Sequence, residues 1–370
     1  MSLYKIFRPA IFKIEPETAH NLAIDLLRFL PNASSLFCLN KNYENLHTKL
    51  WNLDFTNPIG MAAGFDKNAA VALTLEKFGF GFVECGTVTP LAQIGNPQPR
   101  IFRLEQDRAI INRLGFNNLG AENFAKNIAE ISPKISVPLG INIGKNKDTE
   151  DALLDYLLLL QKFYEKASYI TVNISSPNTK NLRDLQNENQ LDLFLNEIMK
   201  KKNELKNSSQ KNVPILLKIA PDLTLSEIET IAEAVIKNAV DGVIISNTTI
   251  DRNLNLQSTY ADENGGLSGQ PLFAKANEVL KIFYKLTQGK IPLIGVGGIA
   301  SAQDAYEKIK CGASMVQIYS AFIYEGFGLV ERIKKDLSAM VKKDGFKNIT
   351  QAVGTKDLGQ ALRGTVANQI

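Results

Sequence analysis

Two amides and three hydroxyls, Asn173, Asn178, Ser175, Ser176 and Thr179, crowd into the eight residues VNISSPNT at 172–179. They follow an apolar, partly β-branched run at 169–174. Pro177 ends that run, because proline lacks a backbone donor and restrains the residue before it. This is how a buried parallel strand looks where it delivers polar groups at its carboxyl end. Loops at strand ends are where barrel and open-sheet enzymes place their chemistry. Taken alone, the stretch also fits an ordinary Asn/Ser/Pro turn that caps a strand.

The elements that would position such groups recur along the chain. Short apolar runs lie at 59–63, 81–88, 139–143, 169–174, 215–219, 242–246, 292–296 and 313–319. Helix-period segments such as 67–78, 121–130, 226–238 and 301–311 separate most of them. Eight strands alternating with helices predict an α/β chain folded as a (β/α)₈ (TIM) barrel over about 54–340; a doubly wound open sheet is the alternative. The strand ends carry a common load: AAGFDK at 62–67, Gly86-Thr87, NIGKN at 142–146, NISSPN, Lys218, SNTT at 246–249, GVGG at 295–298 and Tyr319-Ser320. Stability alone would not require small, amide, hydroxyl or lysine groups at all eight ends.

The GVGG turn precedes a helical segment, so its backbone amides can hold a phosphate, as loops after strands seven and eight of this barrel commonly do. Gly295, Gly297 and Ala300 also match a dinucleotide fingerprint, but the next strand ends in Tyr319-Ser320 without the acidic residue that would hold a ribose. Gly144-Lys145 lacks the rest of a phosphate-loop pattern. A phosphate site with lysines and many amides suits flavin mononucleotide, whose ring needs a cation near N1. Lys218 is the candidate; otherwise it is a strand-end lysine reaching water.

Absences narrow the chemistry. The only histidines, His20 and His47, precede Trp51, which removes histidine-dependent zinc hydrolases and flavin hydroxy-acid oxidases from consideration. No metal site is expected. A net charge of +4 over 370 residues, without a long basic run interleaved with aromatics, argues against nucleic acid. Cys38, Cys85 and Cys311 have no metal spacing and are too sparse for a disulfide scaffold. No apolar run reaches the roughly 18–20 residues that span a bilayer, and no signal peptide is expected.

Residues 3–11 and the segment from about Pro16 to Leu30 have amphipathic helical spacing, with Pro9 interrupting the first and Leu36, Phe37 and Leu39 adding an apolar patch. Such a pair can pack on its own domain or lie in a membrane interface. Two insertions stand out: 90–118, with hairpin-like pieces at 101–104 and 109–114, and the polar, lid-like 251–269. Segment 200–212 reads as a solvated helix end, and 345–370 carries no readable pattern.

The ordered motifs AAGFDKN, GTVTP, RLGFNN, GINIGKNKDT, VNISSPNT, KIAPDL, SNTT, GGLSG, GVGGI and QIYSAF closely resemble the dihydroorotate dehydrogenases. The likeness is to class 2, the membrane-associated, quinone-reducing form, and covers roughly 3–340. Class rests on the N-terminal extension and on Ser176, where class 1 enzymes carry cysteine. The resemblance implies FMN contacts at Ala63, Gly64, Phe65, Asp66, Lys67, Thr87, Asn142, Asn173, Lys218, Ser246, Gly269, Gly298, Tyr319 and Ser320. It implies dihydroorotate contacts at Lys67, Asn112, Arg113, Leu114, Gly115, Phe116, Asn173, Asn178, Asn247 and Thr248, with Ser176 as catalytic base. Position 246 is often Thr in relatives, and Ser keeps the hydroxyl. By the same likeness His20 and Arg103 lie near a quinone tunnel, although either could be a plain surface or salt-bridge residue.

The expected organisation is a helical membrane and quinone-access segment at 1–45, an FMN-binding barrel at 46–344 and a tail at 345–370. The expected activity is oxidation of dihydroorotate to orotate in pyrimidine biosynthesis, with a membrane quinone as acceptor. Attachment is expected at the cytoplasmic side of the cell membrane, through the N-terminal helices. The alternatives are a soluble, class 1-like dihydroorotate oxidase and a non-catalytic flavin-binding partner protein.

Overall fold

The computed structural model describes residues 3–29, 40–179 and 182–357. A hairpin of β1 (Thr48–Leu50) and β2 (Leu53–Phe55) precedes the barrel, with Trp51 and Asn52 at positive φ in its turn. Eight parallel strands then close on themselves in the order β3 (Ile59–Met61), β4 (Phe82–Val88), β7 (Leu139–Ile143), β8 (Tyr169–Asn173), β9 (Ile215–Ile219), β10 (Gly242–Ile245), β12 (Leu293–Val296) and β13 (Met315–Ile318). The chain is thus a (β/α)₈ barrel. The two insertions meet in one antiparallel sheet, ordered β11 (Gly266–Gly269), β6 (Ala109–Asn112), β5 (Ile101–Leu104).

The described helices are α1 (Leu3–Ile11), α2 (Pro16–Phe29), α3 (Ala72–Lys77), α4 (Gly120–Ile131), α5 (Ala152–Phe163), α6 (Glu188–Ser209), α7 (Leu225–Lys237), α8 (Phe273–Leu286), α9 (Ala302–Lys310), α10 (Ser320–Glu325) and α11 (Leu329–Lys343). Local chemistry sets their starts. Thr224 and Glu227 form a reciprocal capping box on α7, and the Ser301 side chain caps α9.

Strand residues pointing outward join the helices in one continuous apolar core. Those pointing inward, including Phe82, Tyr169, Leu216, Ile244, Ile294 and Met315, fill the barrel as a second cluster, with Phe55 of the hairpin packed against them. The barrel is therefore solid below and free to carry polar groups above.

Three differences from the sequence reading have local causes. The helix expected at 67–78 is only α3, because both carboxylate oxygens of Asp66 accept from Ala70 and Val71 backbone N–H at 2.8 Å and Ala69 takes φ 56°. Helix α1 continues through Pro9 instead of breaking there. Residues 345–357 are packed: Phe346, Ile349 and Ala352 are buried, and Gly354 N–H donates to Ile309 O at 3.2 Å. The expected patch at Leu36, Phe37 and Leu39 lies outside the described residues.

Candidate active site

A cavity opens at the carboxyl end of the barrel, and VNISSPNT forms one wall. Tyr156 of α5 donates to Asn173 O at 2.7 Å and anchors the end of β8. Asn173 Nδ2 donates to Thr87 Oγ1 at 3.1 Å and Asn142 Oδ1 at 3.2 Å, while its Oδ1 accepts from Ser175 Oγ at 2.9 Å. Asn247 Nδ2 donates to Ser175 Oγ at 3.0 Å. Asn178 Nδ2 reaches Asn112 O at 3.0 Å. Arg183 ties the loops together by donating to Ser175 O at 3.1 Å and Thr248 O at 3.0 Å. The amides therefore hold one another in register before any ligand arrives, which is the preorganisation a reacting site needs.

Ser176 lines this cavity and is 6 % exposed. Its Oγ accepts the Asn178 backbone N–H at 3.2 Å. A donor aimed at that oxygen lowers the cost of negative charge developing there. Lys67 and Lys218 line the same cavity. Burial lowers the pKa of Lys67 to about 8, with Glu17 opposing that shift and Arg100 adding to it. Burial also lowers Lys218, against the attraction of Glu84.

Glu84 is the unexpected centre of the floor. It is wholly buried and accepts from Asn142 Nδ2 at 2.7 Å, Gln317 Nε2 at 2.8 Å and Tyr169 OH at 3.0 Å. Its carboxylate meets the usual terms for a buried charge, several donors and a nearby cation. Its signal in the sequence was a lone charge on the apolar strand 81–88.

The residues present fit flavin mononucleotide. Gln317 lines the cavity and leaves its buried Oε1 acceptor without a partner. A Cβ added at Gly64 would meet only Tyr319, at 3.8 Å, leaving room for a flat ring. At the opposite side Gly298 has φ 77°, and a Cβ there would lie 2.4 Å from Phe273, so only glycine lets the GVGG turn rest on α8. Ser320 Oγ and Ser268 Oγ share a hydrogen bond at 2.7 Å beside that turn, joining β11 to the barrel. Gly-turn amides with hydroxyls suit a phosphate, and lysines with amides suit the ring.

Of the residues expected from the resemblance, Ala63, Gly64, Lys67, Thr87, Asn112, Leu114, Gly115, Phe116, Asn173, Ser176, Asn178, Lys218, Ser246, Asn247, Thr248, Gly269, Gly298, Tyr319 and Ser320 line this cavity. Asn142 sits just behind it, bonded to Thr87 Oγ1 at 2.6 Å. Three others turn elsewhere. Asp66 caps its own turn, Phe65 packs edge-on against His20, Tyr319 and Phe322, and Arg113 pairs with Glu263 at 2.6 Å over the Phe102 ring. Sequence reasoning missed Glu84, Gln317 and Arg183, which are read only once the strands are side by side.

A second, apolar cavity runs between α1, α2 and the barrel rim, and His20 and Arg103 both line it. Burial holds the His20 pKa down at about 3, so the ring is neutral at ordinary pH. Arg103 donates to Phe12 O at 3.1 Å and Ile14 O at 2.9 Å and lies over the Phe12 ring. Tyr319, Asn112 and Leu114 line both cavities.

Fold and site together define a barrel oxidoreductase built around a phosphate-bearing flavin. A family profile described as dihydroorotate dehydrogenase matches residues 45–341. The chain belongs to the dihydroorotate dehydrogenase family. It is 47% identical over 358 residues to a protein of Xanthobacter autotrophicus named dihydroorotate dehydrogenase (quinone), covering 96% of this chain and 99% of the relative. It is 49% identical over 338 residues to a protein of the same name from Vibrio vulnificus, covering 90% of this chain and all of the relative. A crystal structure of the Eimeria tenella enzyme with ferulenol superposes with a TM-score of 0.86 at 37% identity, covering 93% of this chain and 96% of that one.

Proposed function

We propose that this protein oxidises dihydroorotate to orotate and delivers the electrons to a quinone, as a step of pyrimidine biosynthesis. One observation carries this reading beyond family membership: a polar cavity and an apolar one share Tyr319, Asn112 and Leu114 as a common wall. A carboxylate substrate and a hydrophobic acceptor each find a matching chamber, and a bound flavin mononucleotide supplies the carrier that takes a hydride from the first and gives electrons to the second.

The protein's own groups do the rest. Lys67 and the amides of Asn112, Asn173, Asn178 and Asn247 hold the substrate's carboxylate and ring amides, which fixes the face it presents. Ser176 Oγ takes the proton from C5, and the Asn178 backbone N–H steadies the charge that develops on it. Leu114 and Phe116 help exclude water from that oxygen. Lys218 and the backbone of Gly298, Tyr319 and Ser320 hold the cofactor, with Glu84 balancing the lysine from below.

We place quinone entry between α1 and α2, past His20 and Arg103. Ile6, Phe7, Leu22, Leu26 and Phe29 of these helices are each more than half exposed. Among the described residues no helix is long and apolar enough to cross a membrane. Such a surface fits a peripheral docking segment at the cytoplasmic face of the cell membrane, with residues 46–344 as the catalytic unit.

The deciding experiment mixes flavin-loaded protein anaerobically with dihydroorotate, then offers a long-tailed quinone, fumarate or NAD⁺ in detergent. Bleaching by dihydroorotate and recovery of colour with quinone alone is the expected result. Recovery with fumarate or NAD⁺ instead would assign a class 1-like oxidase, and no bleaching would leave a flavin-binding protein without this activity.

A further inference from the structure

Glu17 of α2 and Arg100 of the segment before β5 are 4 % and 6 % exposed. They form a two-pronged ion pair, with Arg100 Nη2 donating to Oε1 at 2.7 Å and Nε to Oε2 at 2.9 Å. Gln98 Nε2 adds a donor to Oε2 at 3.1 Å. An exposed pair would be worth little, but one this buried is costly to make and costlier to break from one side.

The pair is connected to the substrate side by two routes. Arg100 Nη1 donates to Asn96 O at 2.7 Å, and Asn96 Nδ2 donates to Arg113 O at 3.0 Å and Asn178 O at 3.3 Å. Asn178 is an expected substrate contact next to Ser176. The second route is electrostatic. Asn117, which donates to Glu17 Oε1 at 3.4 Å, lines the main cavity together with Lys67. The charged or titratable groups facing Lys67 are Glu17 and His20 from α2, Asp66 from its own turn and Arg100. His20 is neutral, and of the two carboxylates that offset Arg100 there Glu17 has the larger influence, ahead of Asp66.

We propose that Glu17 is a positioning residue for the dihydroorotate site: from the N-terminal extension it fixes Arg100 against the Asn96–Asn178 loops and, through Asn117, brings a carboxylate to the Lys67 side of the main cavity. The extension then does more than admit an acceptor. Substrate binding itself depends on α2 being seated. This inference rests on the functional reading above.

The sign follows from the charges. With Glu17 neutral, Arg100 is opposed at Lys67 only by the weaker influence of Asp66, the Lys67 pKa falls further below about 8, and a substrate carboxylate loses its cation at lower pH. The test is orotate affinity of the flavin-loaded holoenzyme, read from the flavin spectrum between pH 6 and 10, with KM and kcat for dihydroorotate alongside.

Wild type should lose affinity above about pH 8. Glu17→Gln should move that alkaline limb down by roughly one pH unit, weaken orotate about fivefold at pH 8, and raise KM with kcat changed less than about twofold. Glu17→Asp should return the limb towards wild type, and Lys67→Gln should abolish it. Should Glu17→Gln fail to fold, the double variant E17Q/R100Q removes both opposing charges and should keep the limb near the wild-type position. An unmoved limb in Glu17→Gln, an equal loss at every pH, or a limb displaced in the double variant overturns the proposal. A wild type that does not bind orotate would overturn the functional reading instead.

Discussion

Two cavities meet at Tyr319 and are built by opposite rules. The chamber above the barrel is walled by strand ends, and its polar groups are fixed by hydrogen bonds to one another and to the backbone. The chamber beside it is walled largely by aliphatic and aromatic side chains, many of them from α1 and α2, and among the described residues His20 and Arg103 are its only titratable or charged liners apart from two tyrosines. In the first, a one-atom change leaves a donor or acceptor unsatisfied. In the second, shape and apolar area carry recognition, and many residues share the load. Chemistry should therefore be brittle in the barrel chamber and tolerant in the helical one.

The sharpest break is expected at Ser176. Ser176→Ala should keep flavin and orotate binding but slow bleaching by dihydroorotate by roughly 10²–10⁴-fold, the usual worth of a general base. Stopped-flow reduction at the wild-type rate would remove Ser176 from that role. Next comes Lys218→Met, which removes the cation that Glu84 balances and should weaken flavin binding by about ten- to a hundredfold, as for loss of a charge-assisted contact. Equilibrium titration of apo-protein with FMN measures it, and unchanged affinity would make Lys218 a structural lysine.

The apolar chamber is best tested by filling it. Deleting the extension would also remove Glu17 and so disturb both chambers at once. Ala23→Trp places bulk among the lining residues and should slow reoxidation by a long-tailed quinone about tenfold while dihydroorotate still bleaches the flavin. Equal slowing of both half-reactions would show that the chambers are not separable.

The smallest effect concerns His20. Its folded pKa of about 3 lies below its unfolded value of about 6.5, so the unfolded chain binds more protons between these pH values. Its contribution to stability is full above pH 6.5 and is lost as pH falls towards 3. His20→Asn should therefore flatten the decline in stability between pH 7 and pH 5 by about 1 kcal/mol, allowing for solvent in the adjoining cavity. Denaturant titrations at the two pH values decide it.

Eight apolar runs with polar ends were enough to specify the barrel and the face of it that carries chemistry, because side chains alternate in a strand and the polar load sits where each strand stops. Ser176, Asn173 and Lys218 were legible for that reason. The sequence by itself also determined that the chemistry could not rely on histidine in the barrel. What it did not determine were partnerships across the barrel. Glu84 gathers donors from β7, β8 and β13, Arg183 reaches two loops far apart in the chain, and Glu17 finds Arg100 across 83 residues. Periodicity records which way a residue faces within its own element, whereas a buried charge is decided by whatever neighbours closure brings to it. The GGLSG motif shows the same limit: it reads as a loop end, and only pairing of Gly266–Gly269 with Ala109–Asn112 makes it the third strand of a sheet beside the site.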